Sequence, residues 1–357
     1  MSGNSALAVQ VELFECLDEV ERDAAGALDR QRQRNVYDSI EWLKLTRAHV
    51  LSQVPLVAAR ARDASGRTAW LFLQDHGNGR AAAFASWYTL AFAPIFAGLA
   101  VPTSDERPDL RAPLAAALAR KLRARFDVIS LAPMADEDRD VALLKHAFAS
   151  AGWLALRAAT TANWIAKTHE QPFARYWEDR PSRLRNTVER KRRRTQLEIA
   201  IYDHFDPAAW ADYESVYRSS WKPAEGSPEF LRAFAERSGR WGSLRLGIAR
   251  DAGRPVAAQL WTVDQSVATI HKLAHDEAAK AESPGTLLSA AMFEHVIERD
   301  RPAIIDFGTG DDAYKADWMD LKRPLYRLDL YNLRSPRGIT AAGHAAARAL
   351  VRRLRNN

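Results

Sequence analysis

The sequence predicts an α/β (α+β) protein of two tandem domains, each a mixed, mostly antiparallel sheet flanked by helices. Three observations carry this. Strand-like runs come first in each half and then alternate with helical periodicity. The two halves repeat a similar order of elements, as a tandem duplication would, although no residue-level repeat accompanies it. Finally, 357 residues leave room for about two domains, and an apolar fraction of 47% with 27% charge fills real cores in a water-soluble chain.

In the first half, VYDSIEWLKLTRAHV (36–50) has helical spacing. PLVAARARD and GRTAWLFLQDHG read as strands joined near Ser65-Gly66 in a hairpin. Helix LRAPLAAALARKLRARF (110–126), strand DVISLAPM, helix DRDVALLKHAFASAGW and strand LALRAATTANWIA then alternate. The boundary falls near Gln171-Pro172, giving domains 1–172 and 173–357. In the second half, the basic segment, DPAAWADYESVYRSSW (206–221) and SPEFLRAFAERSG (227–239) are helical. Strands GSLRLGIAR, PVAAQLWTVD and VATIHKLAH follow as a meander, then helix TLLSAAMFEHVIERD (286–300), strand AIIDF, a short helix around Tyr314 and strand PLYRLDLYN (324–332). A basic helix, 338–357, closes the chain; Leu350, Val351 and Leu354 give it an apolar edge beside Arg348, Arg352 and Arg355.

Composition excludes several classes. Cys16 is the one cysteine, so neither an intrachain disulfide framework nor a cysteine-based zinc site can form. The N-terminus lacks a basic start followed by an apolar core, so no secretory signal is expected and the location reads as cytoplasmic. Residues 81–104 carry no formal charge and are long enough to span a bilayer, but Pro94, Ser86, Tyr88 and Thr89 interrupt them, and a buried strand with its connection explains them as well. The net charge of +6 is local: segment 180–194 holds eight Lys/Arg against Glu189 alone. This run reads as a solvated helix with Leu184, Val188 and Leu197 towards the core. It can also attract phosphates or an anionic membrane surface. No aromatic residues interleave it, so base stacking and nucleic-acid binding are not expected.

The chemistry concentrates at SPGTLLSAAMFEHVI (283–297). Ser283 suits an N-cap, Pro284 the first helical position, and Gly285 leaves the first-turn N–H groups uncovered. Such a start is a ready anion site, and equally an ordinary capped helix. If the strands on either side are parallel, helix start and strand ends converge in one crevice. AIIDFGTGDDAYKADW (303–318) then lines the far wall, with Asp306 and the Gly308–Gly310 turn.

The meander, HKLAHDEAAKAESPGTLL, IIDFGTGDDAYKADW and RPLYRLDLY together resemble the C-terminal half of GNAT-superfamily acyltransferases. The branch they resemble is the CelD-type (cellulose-biosynthesis) acetyltransferases, related to FemABX; the resemblance covers roughly 175–330, with YDSIEWL similar to that branch's N-terminal start. It implies two GNAT-like domains, the second binding acetyl-CoA or another acyl-CoA as co-substrate, without a metal, and an amine acceptor such as an amino sugar in polysaccharide or envelope synthesis. Peripheral contact with the inner membrane or a polysaccharide-synthesis machinery goes with that setting. The first domain, lacking a Ser-Pro-Gly equivalent, reads as a non-catalytic copy. Ser283, Pro284, Gly285 and Thr286 are the implied pyrophosphate contacts, although the full Arg/Gln-x-x-Gly-x-Gly/Ala loop of the family is absent.

The remaining candidates follow from side-chain type. His271 and His275 are candidate bases; on an extended strand they share a face but lie roughly 13 Å apart, too far to serve one centre or chelate one metal. Asp306 accepts a proton or an ammonium, or simply forms the Gly308 turn. Tyr314 protonates the departing thiolate, and Lys315 and Lys272 meet phosphates. Trp221, Lys222, His275 and Asp311 line the acceptor side. Two other functions compete: FemABX-type transfer from aminoacyl-tRNA, which would use the basic run but lacks sustained heptads for a helical arm, and a non-catalytic scaffold in a polysaccharide-synthesis complex.

Overall fold

The computed structural model describes residues 9–99, 109–135, 139–168 and 171–355, with side chains through Arg348. In chain order the elements are β1 (Gln10–Phe14), α1 (Leu17–Ala24), α2 (Ile40–His49), β2 (Leu56–Arg62), β3 (Thr68–Asp75), β4 (Arg80–Ala83), β5 (Ile95–Ala97), α3 (Arg111–Leu122), β6 (Val128–Met134), α4 (Asp140–Ser150) and β7 (Trp153–Lys167). There follow α5 (Phe173–Glu178), α6 (Ser182–Arg192), β8 (Glu198–Tyr202), α7 (Pro207–Arg218), α8 (Pro228–Arg240), β9 (Leu244–Asp251), β10 (Arg254–Asp264), β11 (Val267–His275), α9 (Pro284–His295), β12 (Ile304–Thr309), β13 (Leu321–Asn332) and α10 (Pro336–Arg355). The sequence missed β1, α1, α5 and β8, all short; the expected helix 36–50 is a 3-10 turn followed by α2, whose N-cap Ser39 accepts from the Trp42 amide.

Two compact units result, 1–160 with 324–357, and 161–323. The chain therefore does not divide as 1–172 and 173–357. The second half of β13 belongs with the first unit because it pairs antiparallel with β6, Tyr331 opposite Val128. The Asn332 side chain then donates to the carbonyls of Arg123 and Phe126, which ties the entry to α10 to that unit.

In the first unit the strands run β1-β2-β3-β4-β6-β13-β7, with β5 also on β3. β2 and β3 form the expected hairpin, Arg62 opposite Thr68. β4 and β6 are parallel, joined through α3. Of the uncharged stretch 81–104, the described part is the end of β4, β5 and their connection, and residues 100–104 lie outside the described residues. Among the described residues no helix is long and apolar enough to cross a membrane. The apolar-edge side chains expected on α10 lie outside the described side chains.

In the second unit the order is β7-β12-β11-β10-β9-β8. β9, β10 and β11 form the antiparallel meander, while β11 and β12 are parallel, joined by the crossover helix α9. Apolar residues surround α9 on most sides, so it is buried along its length. Phe293 stacks on Tyr176 and Trp318 and meets the edge of Trp261. Gly247 lets α9 lie close: a Cβ there would sit 2.5 Å from Met292 Sδ. Both units thus show four successive antiparallel strands, a crossover helix and a parallel strand.

Candidate active site

The sheet of the second unit opens at the carboxyl end of β11. Parallel pairing with β12 covers only Val267–Thr269 against Ile304–Asp306. Beyond Thr269, β11 stays with β10 as far as His275, while β12 pairs on its other side with β7. Among the described residues no strand covers that side of β11 from Ile270 onward.

The start of α9 stands at this opening. Pro284 occupies the first turn as expected. Ser283 precedes it, but its backbone is left-handed (φ 55°) and its hydroxyl makes no capping hydrogen bond, contrary to the expected N-cap role. The backbone N–H groups of Gly285 and Thr286 make no hydrogen bond among the described residues. Gly285 matters for its missing side chain, since a Cβ there would lie 3.2 Å from His275 Nδ1. With the helix dipole behind them, bare amides of this kind are suited to a negative group.

A pocket of about 330 Å³ surrounds that helix start, lined among others by Trp221, His275, Gly285, Thr286, Tyr314 and Leu184. Trp221, half exposed, packs on His275 with ring centres 4.5 Å apart. Burial pushes the His275 imidazole below its usual pKa, against the nearby Glu277 carboxylate, whose Oε1 lies 3.6 Å from Nε2. His275 is therefore neutral at pH 7. Tyr314 lies edge-on to Phe307; burial, and then Asp312, push its phenol up to about 12. The pocket thus holds a neutral imidazole that can take a proton and a phenol that keeps one.

His271 does not join them. The β10–β11 register skips it, Leu260 pairing with Lys272 and Trp261 with Ile270. One extra residue in a strand reverses the alternation beyond it, so His271 and His275 do not share a face. His271 Nε2 is 2.8 Å from Thr262 Oγ1 and its ring meets Phe234 of α8. Burial and the Lys272 charge push it down to about 3.

Four further candidates are engaged elsewhere. Asp306 Oδ1 accepts from the Gly308 amide at 2.7 Å and from Asn163 Nδ2 at 2.6 Å, and Oδ2 meets Arg323 at 3.1 Å; it builds the corner. Lys315, 4% exposed, donates to the Thr309 carbonyl at 2.6 Å and lies 3.6 Å from Asp312. The acidic glycine corner is thus wrapped around an internal ammonium, which explains Asp312 in a loop that looks like a phosphate cradle. Asp311 pairs with Lys322 at 2.6 Å. Lys272 pairs with Glu225 at 2.8 Å, outside the lining of this pocket. Lys222 lies next to Trp221 in sequence but lines a different pocket.

Sequence reasoning missed Gln259. Buried in β10, it donates to Ser289 Oγ at 2.7 Å, reaches the Gly285 carbonyl at 3.4 Å and accepts from Trp261 Nε1. It fixes the first two turns of α9 to the sheet. A lone glutamine inside the apolar run PVAAQLWTVD was the available signal.

Comparison with known proteins places the fold first. The chain shares its overall fold with solved structures of low sequence identity. It is similar to the C-terminal domain of a candidate lysylphosphatidylglycerol synthetase from Agrobacterium fabrum, at 15% identity and TM-score 0.56, covering 94% of this chain and 95% of that one. It is also similar to FemX, at 9% identity and TM-score 0.57, covering 90% and 98%, and to a conserved protein of unknown function from Bacteroides thetaiotaomicron, at 13% identity and TM-score 0.56, covering 90% and 100%. More particularly, residues 182–316, which hold the helix start and most of its pocket, match the family described as Acetyltransferase (GNAT) domain. No curated protein matches the chain.

Proposed function

We propose that the second unit is an acyl-CoA-dependent N-acyltransferase, using acetyl-CoA or another acyl-CoA. Its acceptor is an amine such as an amino sugar of polysaccharide or envelope synthesis, met in the cytoplasm or at the inner surface of the membrane. The observation that carries this reading is the bare first turn of α9 at the mouth of the β11–β12 opening, in one pocket with His275 and Tyr314. The pocket fits a CoA diphosphate: two amides are unengaged, a Cβ at Gly285 would intrude, and its one carboxylate, Asp317, is already held by Arg183.

When bound, the co-substrate supplies an acyl carbon activated as a thioester. Gly285 and Thr286 hold its diphosphate through their N–H groups, and the uncovered side of β11 offers backbone donors to the carbonyl oxygen. His275 takes a proton from the acceptor ammonium, freeing the nitrogen lone pair. The N–C bond forms as the C–S bond breaks, and Tyr314 donates its proton to the sulfur, recovering one from the acylated nitrogen through solvent. The first unit fits a non-catalytic copy. At the start of its crossover helix α3, the Asp109 carboxylate accepts from the Arg111 amide and, with Asp140, holds the buried Arg111 guanidinium, so the chain's own carboxylates take the place of an anion.

Acetyl-CoA should raise the melting temperature, and thiol release should require an added amine; absence of stabilisation by any acyl-CoA contradicts the reading. The alternative is FemABX-type transfer from aminoacyl-tRNA. It is favoured by α6 and the residues just after it, where among the described residues Arg185, Arg190 and Arg194 make no ion pair while Arg183, Lys191, Arg192 and Arg193 do. Filter binding of tRNA at physiological salt separates the two.

A further inference from the structure

A second pocket of about 440 Å³ lies at the carboxyl end of α7 and in the loop leading to α8. Its walls are aromatic. Tyr213 stacks on Trp210 with centres 4.7 Å apart, and Tyr217 follows at 6.1 Å from Tyr213. Pro223, Pro228 and Leu231 complete the apolar lining. The volume falls in the range that encloses a small molecule.

The charges that line this pocket, Glu214 and Glu225 against Arg218 and Lys222, are not paired with one another. Both carboxylates are engaged: Glu214 accepts from Trp210 Nε1 at 2.8 Å, and Glu225 is paired with Lys272 at 2.8 Å. The two cations, Arg218 and Lys222, make no ion pair among the described residues. Arg218 sits in the last turn of α7, where the helix carbonyls favour a cation. That explanation does not extend to Lys222, which lies beyond the helix end, is partly buried and has the Trp221 ring, 5.6 Å from its ammonium, as the contact of its charge among the described residues. Burial, and then the Lys272 and Lys315 charges, push its ammonium down to about 8. A cation held at such a cost, facing an aromatic cavity, lacks an anion. Its neighbour Trp221 lines the pocket at the α9 start, so consecutive residues serve the two cavities.

We propose that this pocket is a binding site for an amphipathic anion, an aromatic or apolar body carrying a carboxylate, with the body against Trp210, Tyr213 and Tyr217 and the carboxylate on Lys222 and Arg218. Resting on the N-acyltransferase reading, it is the acceptor pocket, and the acceptor is an amine that also bears a carboxylate. This narrows the acceptor from amines in general to amino-acid-like ones, a class that includes acidic amino sugars only where the ring can stack on the aromatic wall.

The probe is 3-phenylpropanoate, titrated into the full chain by calorimetry beside its uncharged amide. The acid is expected to bind at least tenfold more tightly than the amide, and Lys222→Met to abolish that difference. Lys222→Met should also melt close to the parent, because removing a partly buried ammonium that has no carboxylate partner offsets the loss of its contact with the Trp221 ring. Equal binding of acid and amide, or no binding of either, overturns the site. Should Lys222→Met unfold, Arg218→Met, at an exposed position, must weaken the acid selectively, and failure to do so overturns it equally. Acetyl-CoA is titrated in the same samples. Acid binding without any acyl-CoA binding leaves the anion site standing and refutes its role as acceptor pocket.

Discussion

Gly285→Ala separates folding from ligand binding at the start of α9. The added Cβ would lie 3.2 Å from His275 Nδ1 and 3.6 Å from its Cβ and Cγ. That is tight, but the imidazole is a side chain at the end of a strand and can yield by a few tenths of an ångström. Replacing a helical glycine by alanine returns up to about 1 kcal/mol, so the free protein should keep its stability to within about 1 kcal/mol. The methyl group would take up pocket space beside the two amides, next to His275. Losing one charge-assisted hydrogen bond costs about 1.5–3 kcal/mol, which weakens acyl-CoA binding by roughly tenfold to a hundredfold. Calorimetry with acetyl-CoA, beside a melting curve of the free protein, reads both quantities. Unchanged affinity in a variant that is folded as the parent is would refute the placement of the diphosphate.

Other substitutions probe the surroundings. Lys315→Met should cost about 1–3 kcal/mol of stability, because the Thr309 carbonyl loses its buried donor, while acetyl-CoA affinity stays the same; denaturant melts and calorimetry check the pair. Gln259→Leu leaves Ser289 and the Trp261 indole without their partner and should lower stability by about 1–3 kcal/mol, with a smaller gain in melting temperature on adding acetyl-CoA. His271 has a folded pKa of about 3 against 6.5 unfolded. Only the unfolded chain takes up this proton as pH falls below about 6.5, so its contribution to stability is intact above 6.5 and declines towards pH 3, by about 1 kcal/mol per pH unit. His271→Gln should therefore show a shallower loss of stability between pH 6.5 and 5 than the parent; equal slopes would contradict the neutral assignment.

The sequence was most legible where local chemistry and long-range packing agree. The hairpin of β2 and β3, the meander of β9 to β11 and the crossover through α9 all follow from alternation, turn residues and Pro284 at a helix start. The bulge at His271 was not legible: an extra residue in β11 shows only in the partner register, yet it reverses which histidine reaches the pocket. Lys315 was read from side-chain type as a phosphate ligand, and Asp306 either as a proton or ammonium acceptor or as the former of the Gly308 turn; both are used to close the Gly308–Gly310 corner. Nothing local distinguishes a lysine aimed at phosphate from one aimed at a carbonyl six residues back. The return of β13 to the first unit was hidden for the same reason, since pairing with β6 is a contact across about two hundred residues.

The account turns on two backbone amides. Titration of acetyl-CoA into isotope-labelled protein, followed by the amide resonances of Gly285 and Thr286, tests it most directly. Both are predicted to shift together and saturably, and ahead of amides remote from the pocket. Resonances of Gly285 and Thr286 that stay in place while others report binding would put the diphosphate elsewhere and remove the basis for the acyltransferase assignment.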